Sequence, residues 1–417
     1  MFDLDKWREI WATLSRNKTR SLMTAFGVSW GLFMFIILVG FGNGFRKGIM
    51  DNFQGFATNS SFIFTERTSE PYKGFRKGRS WQMQNRDLDI IKDRVPAVQH
   101  ISPMLPSRGN VMRGNKVESY SIVGISPTYF VIQEMDVLYG RLLNEMDVQL
   151  RRKVCVIGEL VYETLFNKNE DPVGQYIKTG STYYQVVGLA RPKARGISIA
   201  SDPRRSVFIP LSTQQQLLSG WSNSFPIIGL TLKSGYRMEA SEAQVKDVFK
   251  ELHDIAPTDE KAVGSFNVEK EFRRINTLFS SINILIWIVG MGALFAGIIG
   301  ISNIMLVTVR ERMREIGVRR AIGAKPLAIV GQILSESLVL TGLAGMAGFI
   351  FGVLVLFAAQ AVMGGNPNPE GITIIPYISF YLALVAMGIL VASGLLAGLM
   401  PALRAMQIKA IDAIRDE

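Results

Sequence analysis

Residues 310–326 read Arg310-Glu311-Arg312-Met313-Arg314-Glu315-Ile316-Gly317-Val318-Arg319-Arg320-Ala321-Ile322-Gly323-Ala324-Lys325-Pro326. They separate two long apolar runs, Ile282 to Val309 and Ser337 to Met363. About 20 apolar residues suffice for a helix to cross a hydrocarbon core of roughly 30 Å. The arrangement therefore describes a helix that leaves a membrane, makes a short charged excursion and returns. Inside the excursion, Glu315 and Arg319 form an i,i+4 pair in the favourable order. Gly323 can end a helix there and Pro326 can begin the next. Met313 and Ile316 are placed to face a partner or the bilayer. Composition alone favours a loop that only holds the topology in place.

Two further runs, Leu22 to Phe41 and Ile378 to Met400, bring the expected spans to four. The first is too long, and too far from the start, to read as a cleaved signal peptide. Arg16, Lys18 and Arg20 precede it, the 310–325 link is strongly basic, and Arg404, Lys409 and Arg415 follow the last span. The 364–377 segment carries no Lys or Arg. The positive-inside rule then puts both termini and the 310–325 link in the cytoplasm, and residues 57–265 and 364–377 outside. Small residues mark candidate helix contacts at Gly27 and Gly31, at Ala344, Gly348 and Gly352, and at Gly394 and Gly398.

Composition agrees with this division. The chain has 417 residues, 48% of them hydrophobic, and a mean hydropathy of +0.21. Clustering of the apolar residues favours spans over one large core. The net charge of +11 is scattered, and near the spans it serves as a topology signal, so nucleic acid is not expected as a partner. The single cysteine, Cys155, forms no intramolecular disulfide and reads as a small buried hydrophobe. His100 and His253 are the only histidines, and the sequence holds no zinc-type Cys/His cluster. No metal site and no catalytic constellation is expected.

Residues 2–18 have Leu4, Trp7, Trp11 and Leu14 at helical spacing and suit an interfacial helix. Beyond the first span, Phe41, Phe45, Ile49 and Phe53 continue an apolar stripe, and Val268, Phe272, Ile275 and Phe279 lead into the second. These read as two stalks projecting outward. Between them the Glu66–Arg86 segment is polar and basic and reads as a mobile loop. Its Gly74-Phe-Arg-Lys-Gly78-Arg79-Ser80 departs from a phosphate loop by one residue of spacing and by Arg for Lys. Strands are expected at Tyr120–Ile125, Lys153–Ile157, Tyr184–Leu189, Ser206–Leu211 and Ile227–Leu232, with helices at Asp87–Arg94 and Ala240–Ile255. The expected fold is an α-helical membrane protein with four transmembrane helices and an α+β extracytoplasmic domain inserted between the first two.

Residues Asn303 to Lys325 closely resemble the signature of the FtsX-like permease domain of MacB-type (type VII) ABC transporters. Leu14–Gly27, Val154–Glu159 with Asp171–Gly174, Phe208–Ser212, Gly398–Ala405 and Ile411–Glu417 resemble further parts of that family, so the likeness covers nearly the whole chain. The resemblance implies segments 1–18 (interfacial helix), 19–56 (first span and stalk), 57–265 (periplasmic core), 266–309 (second stalk and span), 310–330 (coupling region), 331–363 (third span), 364–377 (outer loop) and 378–417 (fourth span and tail). It implies that Glu311, Arg312, Arg314, Glu315, Gly317, Arg319, Arg320, Gly323 and Ala324 dock on an ATPase. Glu336, at the entry to the third span, becomes a packing or coupling residue. The chain contains no G-x-x-x-x-G-K-[ST], so ATP and magnesium are expected on a separate ABC ATPase subunit. The resemblance further implies a non-catalytic permease of the bacterial inner membrane, acting as a homodimer or with a related permease. A periplasmic adaptor and an outer-membrane channel are further companions it suggests, beside membrane lipid. The function it implies is export or hand-off of a substrate by mechanotransmission. An FtsX-like scaffold activating a cell-wall enzyme and a Lol-like lipoprotein-releasing permease stay open as alternatives.

Overall fold

The computed structural model describes residues 18–51, 56–193, 199, 201–364 and 374–406. The expected interfacial helix, Phe53 of the first stalk and the tail after Met406 lie outside them. The chain forms two compact units, residues 1–48 with 277–417, and residues 49–276.

The first unit is built on helices Lys18–Asp51, Val268–Glu311, Pro326–Gly364 and Phe380–Met406. All four are long and apolar enough to cross a membrane. On the first, Val28, Leu32, Phe35, Ile36 and Val39 recur at helical spacing and form one buried face. They meet Leu294 and Ile301 of the second helix, Leu340 and Ala344 of the third, and Leu390 and Ala397 of the fourth. The Phe35 and Trp287 rings meet edge-on with centroids 5.1 Å apart. The third helix starts at Pro326, well before the apolar run at Ser337. Gln332, Ser335 and Glu336 lower the hydropathy of its first turns without breaking the helix.

Small residues set several of the approaches. A Cβ on Gly348 would lie 2.1 Å from the Ser29 carbonyl oxygen, and one on Gly31 would lie 3.2 Å from the Ala293 backbone. Gly352 faces Ile36, Gly394 faces Leu338 and Thr341, and Gly398 faces Ser337. Gly27 corrects the sequence reading: among the described residues nothing lies within 4 Å of where its Cβ would be. Its neighbour Val28 holds the contact instead, 2.8 Å from a Cβ placed on Gly297. A GxxxG spacing does not by itself say which face of the helix meets a partner.

The second unit is α+β, with strands β1 (Ser60–Thr65), β2 (Met83–Gln84), β3 (Val98–Arg113), β4 (Lys116–Ile125), β5 (Met135–Gly140) and β6 (Val154–Gly158). They are followed by β7 (Tyr176–Thr179), β8 (Thr182–Pro192), β9 (Ser206–Pro210), β10 (Ser224–Phe225), β11 (Ile227–Leu232) and β12 (Val263–Asn267). The main sheet runs β12-β1-β11-β3-β4-β9-β6-β8-β5, and β7 pairs with both β3 and β8. The pairings β3-β4-β9-β6-β8-β7 therefore return to β3 and close a ring around Val111, Ile122, Cys155, Ile157, Tyr184 and Val207. On the other arm, helices Asn85–Arg94 and Met238–Leu252 cover β1, β11 and β12 over Ile91, Leu230, Val245 and Phe249. The long strand β3 belongs to both arms. It escaped sequence reading because Pro103, Pro106 and Gly109 interrupt its pattern.

The Glu66–Arg86 segment also departs from expectation. It is tied down by hydrogen bonds instead of forming a mobile loop. The Asp259 carboxylate accepts from the Ser69 N–H and hydroxyl, both at 2.7 Å, and from the Glu70 N–H at 3.1 Å. Arg79 donates to the carbonyls of His253 and Asp254 at 2.6 and 2.9 Å, and the Trp81 indole donates to the Ala262 carbonyl at 2.9 Å. Polar composition signalled exposure; it carried no trace of these distant acceptors.

Candidate docking turn between the second and third spanning helices

The second spanning helix ends at Glu311, and a short helix, Met313–Ala321, follows after the single residue Arg312. The hydrogen-bond ladder barely lapses: the Arg312 N–H donates to Thr308 O at 3.1 Å and Ile316 N–H to Arg312 O at 3.0 Å. The short helix ends in a Schellman motif. Gly323 has φ +102°, its N–H donates to Arg320 O at 3.1 Å, and the Ala324 N–H donates to Arg319 O at 3.0 Å. This left-handed position suits glycine, and two terminal carbonyls gain partners. Pro326 then occupies the first position of the third spanning helix.

Charged side chains fasten the short helix to its neighbours. Arg312 donates to Glu336 at 3.2 Å, with Glu336 only 8% exposed. Arg319 donates to Glu315 at 2.7 Å and to the Gln332 side chain at 3.0 Å. Arg320 donates to the Met406 carbonyl at 2.8 Å, near the end of the fourth helix. Thr308, Arg312, Glu315, Arg319, Gln332 and Glu336 line a crevice of about 30 Å³, room for about one water. Gly317 is buried against the bundle and Ile316 packs on its core.

The sequence-predicted coupling residues thus divide by role. Arg312, Arg319 and Arg320 make the internal fastenings, Gly317 and Gly323 permit close packing and the turn, and Ala324 completes the cap. Glu311 and Arg314 point outward and are exposed, and Glu315 is half exposed in its pair with Arg319. Sequence reasoning missed an exposed apolar strip beside them: Val318, Ile322 and Leu327, of which Ile322 is 82% and Leu327 79% exposed. The four-residue step from Val318 to Ile322 was a usable signal. Gln332 and the Met406 carbonyl had none, since both contacts depend on how the short helix is set against other helices, the next one in the chain for Gln332 and one 86 residues on for Met406.

The stalk residues fall in both units. In the first, the Phe45 and Phe279 rings meet edge-on at 5.8 Å. In the second, Ile49, Phe272 and Ile275 pack against the cluster containing Phe56, Phe62 and Val268. Among the described residues no group of three or more His, Cys, Asp or Glu side chains could hold a metal.

Residues 21–248 match the MacB-like periplasmic core domain family, and residues 287–410 the FtsX-like permease C-terminal family. The macrolide export ATP-binding/permease protein MacB 2 of Aeromonas hydrophila is 28% identical over 426 residues, covering 100% of this chain and 62% of that protein. The pyoverdine export ATP-binding/permease protein PvdT of Pseudomonas savastanoi pv. phaseolicola is 29% identical, covering 99% of this chain and 60% of its own length. The chain thus spans roughly three-fifths of the curated relatives it matches. The crystal structure of the periplasmic region of MacB from Actinobacillus actinomycetemcomitans is 23% identical and covers 55% of this chain and 97% of its own, with a TM-score of 0.44.

Proposed function

The chain belongs to the MacB-like family that joins a periplasmic core domain to an FtsX-like permease region, and from that membership we propose that it is the permease subunit of an ATP-driven transporter. The turn at 310–326 is the seat of its ATPase partner. Nucleotide and magnesium are bound by that partner, and this chain converts the partner's closure into movement. Both termini and the turn lie on the cytoplasmic side of a bacterial inner membrane, and residues 57–265 lie outside. Two copies, or one copy and a related permease, make the working assembly, and the substrate is handed on from the outer side.

One observation carries the reading. The short helix is fastened to the third and fourth spanning helices by Arg312, Arg319 and Arg320, while Glu311, Arg314, Val318, Ile322 and Leu327 remain exposed. A partner that grips the exposed side moves the spans with it, since the fastenings leave the helix little freedom to slide alone. Coupling between two sites requires an element both can bias, and this helix meets that requirement by its contacts.

The test is affinity purification of the tagged chain in mild detergent, with the double variant Glu315→Arg/Gly317→Arg alongside. An ABC ATPase is expected to accompany the native chain and to be lost from the variant, which removes one partner of Arg319 and forces a side chain into a buried site. Retention of the ATPase by a folded variant would remove the turn as its seat.

A further inference from the structure

We propose that strand β3 of the second unit receives an extended polypeptide segment of a partner protein as an added strand, along its open edge at residues 105–110. Arg113 and Lys116 flank a two-residue hairpin turn, Gly114-Asn115, with Gly114 at φ +58°. In such a hairpin the closing pair is hydrogen-bonded and the pattern alternates. Odd-numbered residues of β3 therefore bond to β4, and the N–H and C=O groups of even-numbered ones point to the opposite edge. At Met104 that edge is covered by β11, through the pairing with Ile227, and at Met112 by β7, through Lys178. Between them, among the described residues, no strand pairs with that edge. Pro106 has no N–H to offer there, but its carbonyl, both backbone groups of Arg108 and the Asn110 N–H face the gap, while the Val111–Thr179 pairing engages the Asn110 carbonyl from the β7 side. Six residues at about 3.3 Å each leave roughly 20 Å of edge.

The gap is roomy. A cleft of about 540 Å³ lies against it. One wall is the β7–β8 turn, Gly180-Ser181, and the other is the end of helix Leu211–Leu217 with Leu218. Its floor is held in place: Gln214 donates to the Ser107 hydroxyl at 2.7 Å, which donates to the Ile122 carbonyl at 3.2 Å. An open edge selects its occupant by chemistry, since alternating N–H and C=O groups are matched by the backbone of another extended chain. Leu217, Leu218 and Met112 offer apolar contacts for alternate side chains of the incoming strand.

The probe is a fluorescein-labelled acetyl-Thr-Val-Thr-Val-Thr-amide, titrated into the purified full chain in detergent and followed by polarisation. Saturable binding is expected, weakened at least tenfold when the same peptide carries N-methyl groups at alternate residues. Asn110→Pro removes an N–H that the β4 ladder does not use, a position where strands tolerate proline; it is expected to bind at least tenfold more weakly with an unchanged melting temperature. Ser181→Trp, at an exposed turn, fills the cleft from its rim without touching the ladder and is expected to weaken binding equally, so the proposal remains decidable if Asn110→Pro unfolds. Absence of saturable binding to the native chain, equal affinity for the N-methylated peptide, or undiminished binding by Ser181→Trp would each overturn strand addition.

Discussion

Arg312 occupies the one residue between two helices, and its guanidinium reaches a carboxylate that is almost fully buried. Removing one partner of a buried pair costs about 3–5 kcal/mol, less where one side chain keeps some solvent. Arg312 is 20% exposed in its side chain. Arg312→Ala is expected to destabilise the chain by about 2–3 kcal/mol, seen as a lower melting temperature in detergent, with Glu336→Gln milder because the amide still accepts a hydrogen bond. A second residue-scale expectation concerns Cys155, wholly buried in the β-ring, where burial pushes the thiol pKa far upward. The thiolate is the reactive form, so Cys155 should resist maleimide and disulfide reagents in the native chain and react on denaturation; rapid labelling under native conditions would contradict its placement. The sequence marked both residues as unusual. It showed Cys155 inside an apolar run, which suffices to bury it. It showed Glu336 as a stray carboxylate without showing Arg312 as its partner, because that pairing depends on how the chain turns between them.

At the scale of the element, the glycines give a direct comparison. Gly348→Leu would drive a side chain into the Ser29 backbone, whereas Gly27 has open space around it. Overpacking of this kind typically costs 1–3 kcal/mol. Gly348→Leu is expected to lower the melting temperature by several degrees, and Gly27→Leu to leave it unchanged or raise it, since glycine is the poorer helix former. Equal effects would mean that the packing seen here does not determine stability. Helix existence was legible because apolar runs of this length have few other uses. Which face of each helix meets which was not, since Gly27 and Val28 differ by one step around the helix. Strand β3 was hidden for a related reason. Its prolines would break a central strand, and they are accommodated because Pro106 lies on the open edge and Pro103 lies beyond the last β4 pairing.

For the whole molecule, acid is the informative perturbant. Burial would raise the Asp147 carboxyl, but the Arg141 hydrogen bond at 2.6 Å, the Asn144 N–H and Arg152 outweigh it and hold the group below the usual carboxylate range. Burial likewise opposes ionisation of Glu242, and the Ser265 and Ser61 hydroxyls with Lys246 outweigh it. Folded values below the unfolded ones mean that this stabilisation is complete at neutral pH and disappears as pH falls through the folded values. The second unit should therefore unfold on acidification, and Asp147→Asn should flatten the dependence of its melting temperature on pH below about 5. A variant as acid-sensitive as the native chain would place the transition elsewhere. At this scale the sequence was most informative: hydropathy located four spans, and the segment between the first two read as α+β. The ring of pairings was out of reach, because β7 and β3 meet through only two residue pairs, Val111 with Thr179 and Met112 with Lys178, that no local pattern links.

The order of strands across the sheet also sets a schedule. β1 lies between β11 and β12, and the Ser61 hydroxyl donates to the Phe266 carbonyl, 205 residues away in the chain. At roughly 5–20 residues per second of synthesis, β1 waits about ten to forty seconds for its neighbours after it is made. For that interval the backbone N–H and C=O groups on both edges of β1 stand unpaired. A ribosome that stalls before residue 226 leaves them bare, and such arrested chains should be the ones that chaperones and proteases collect.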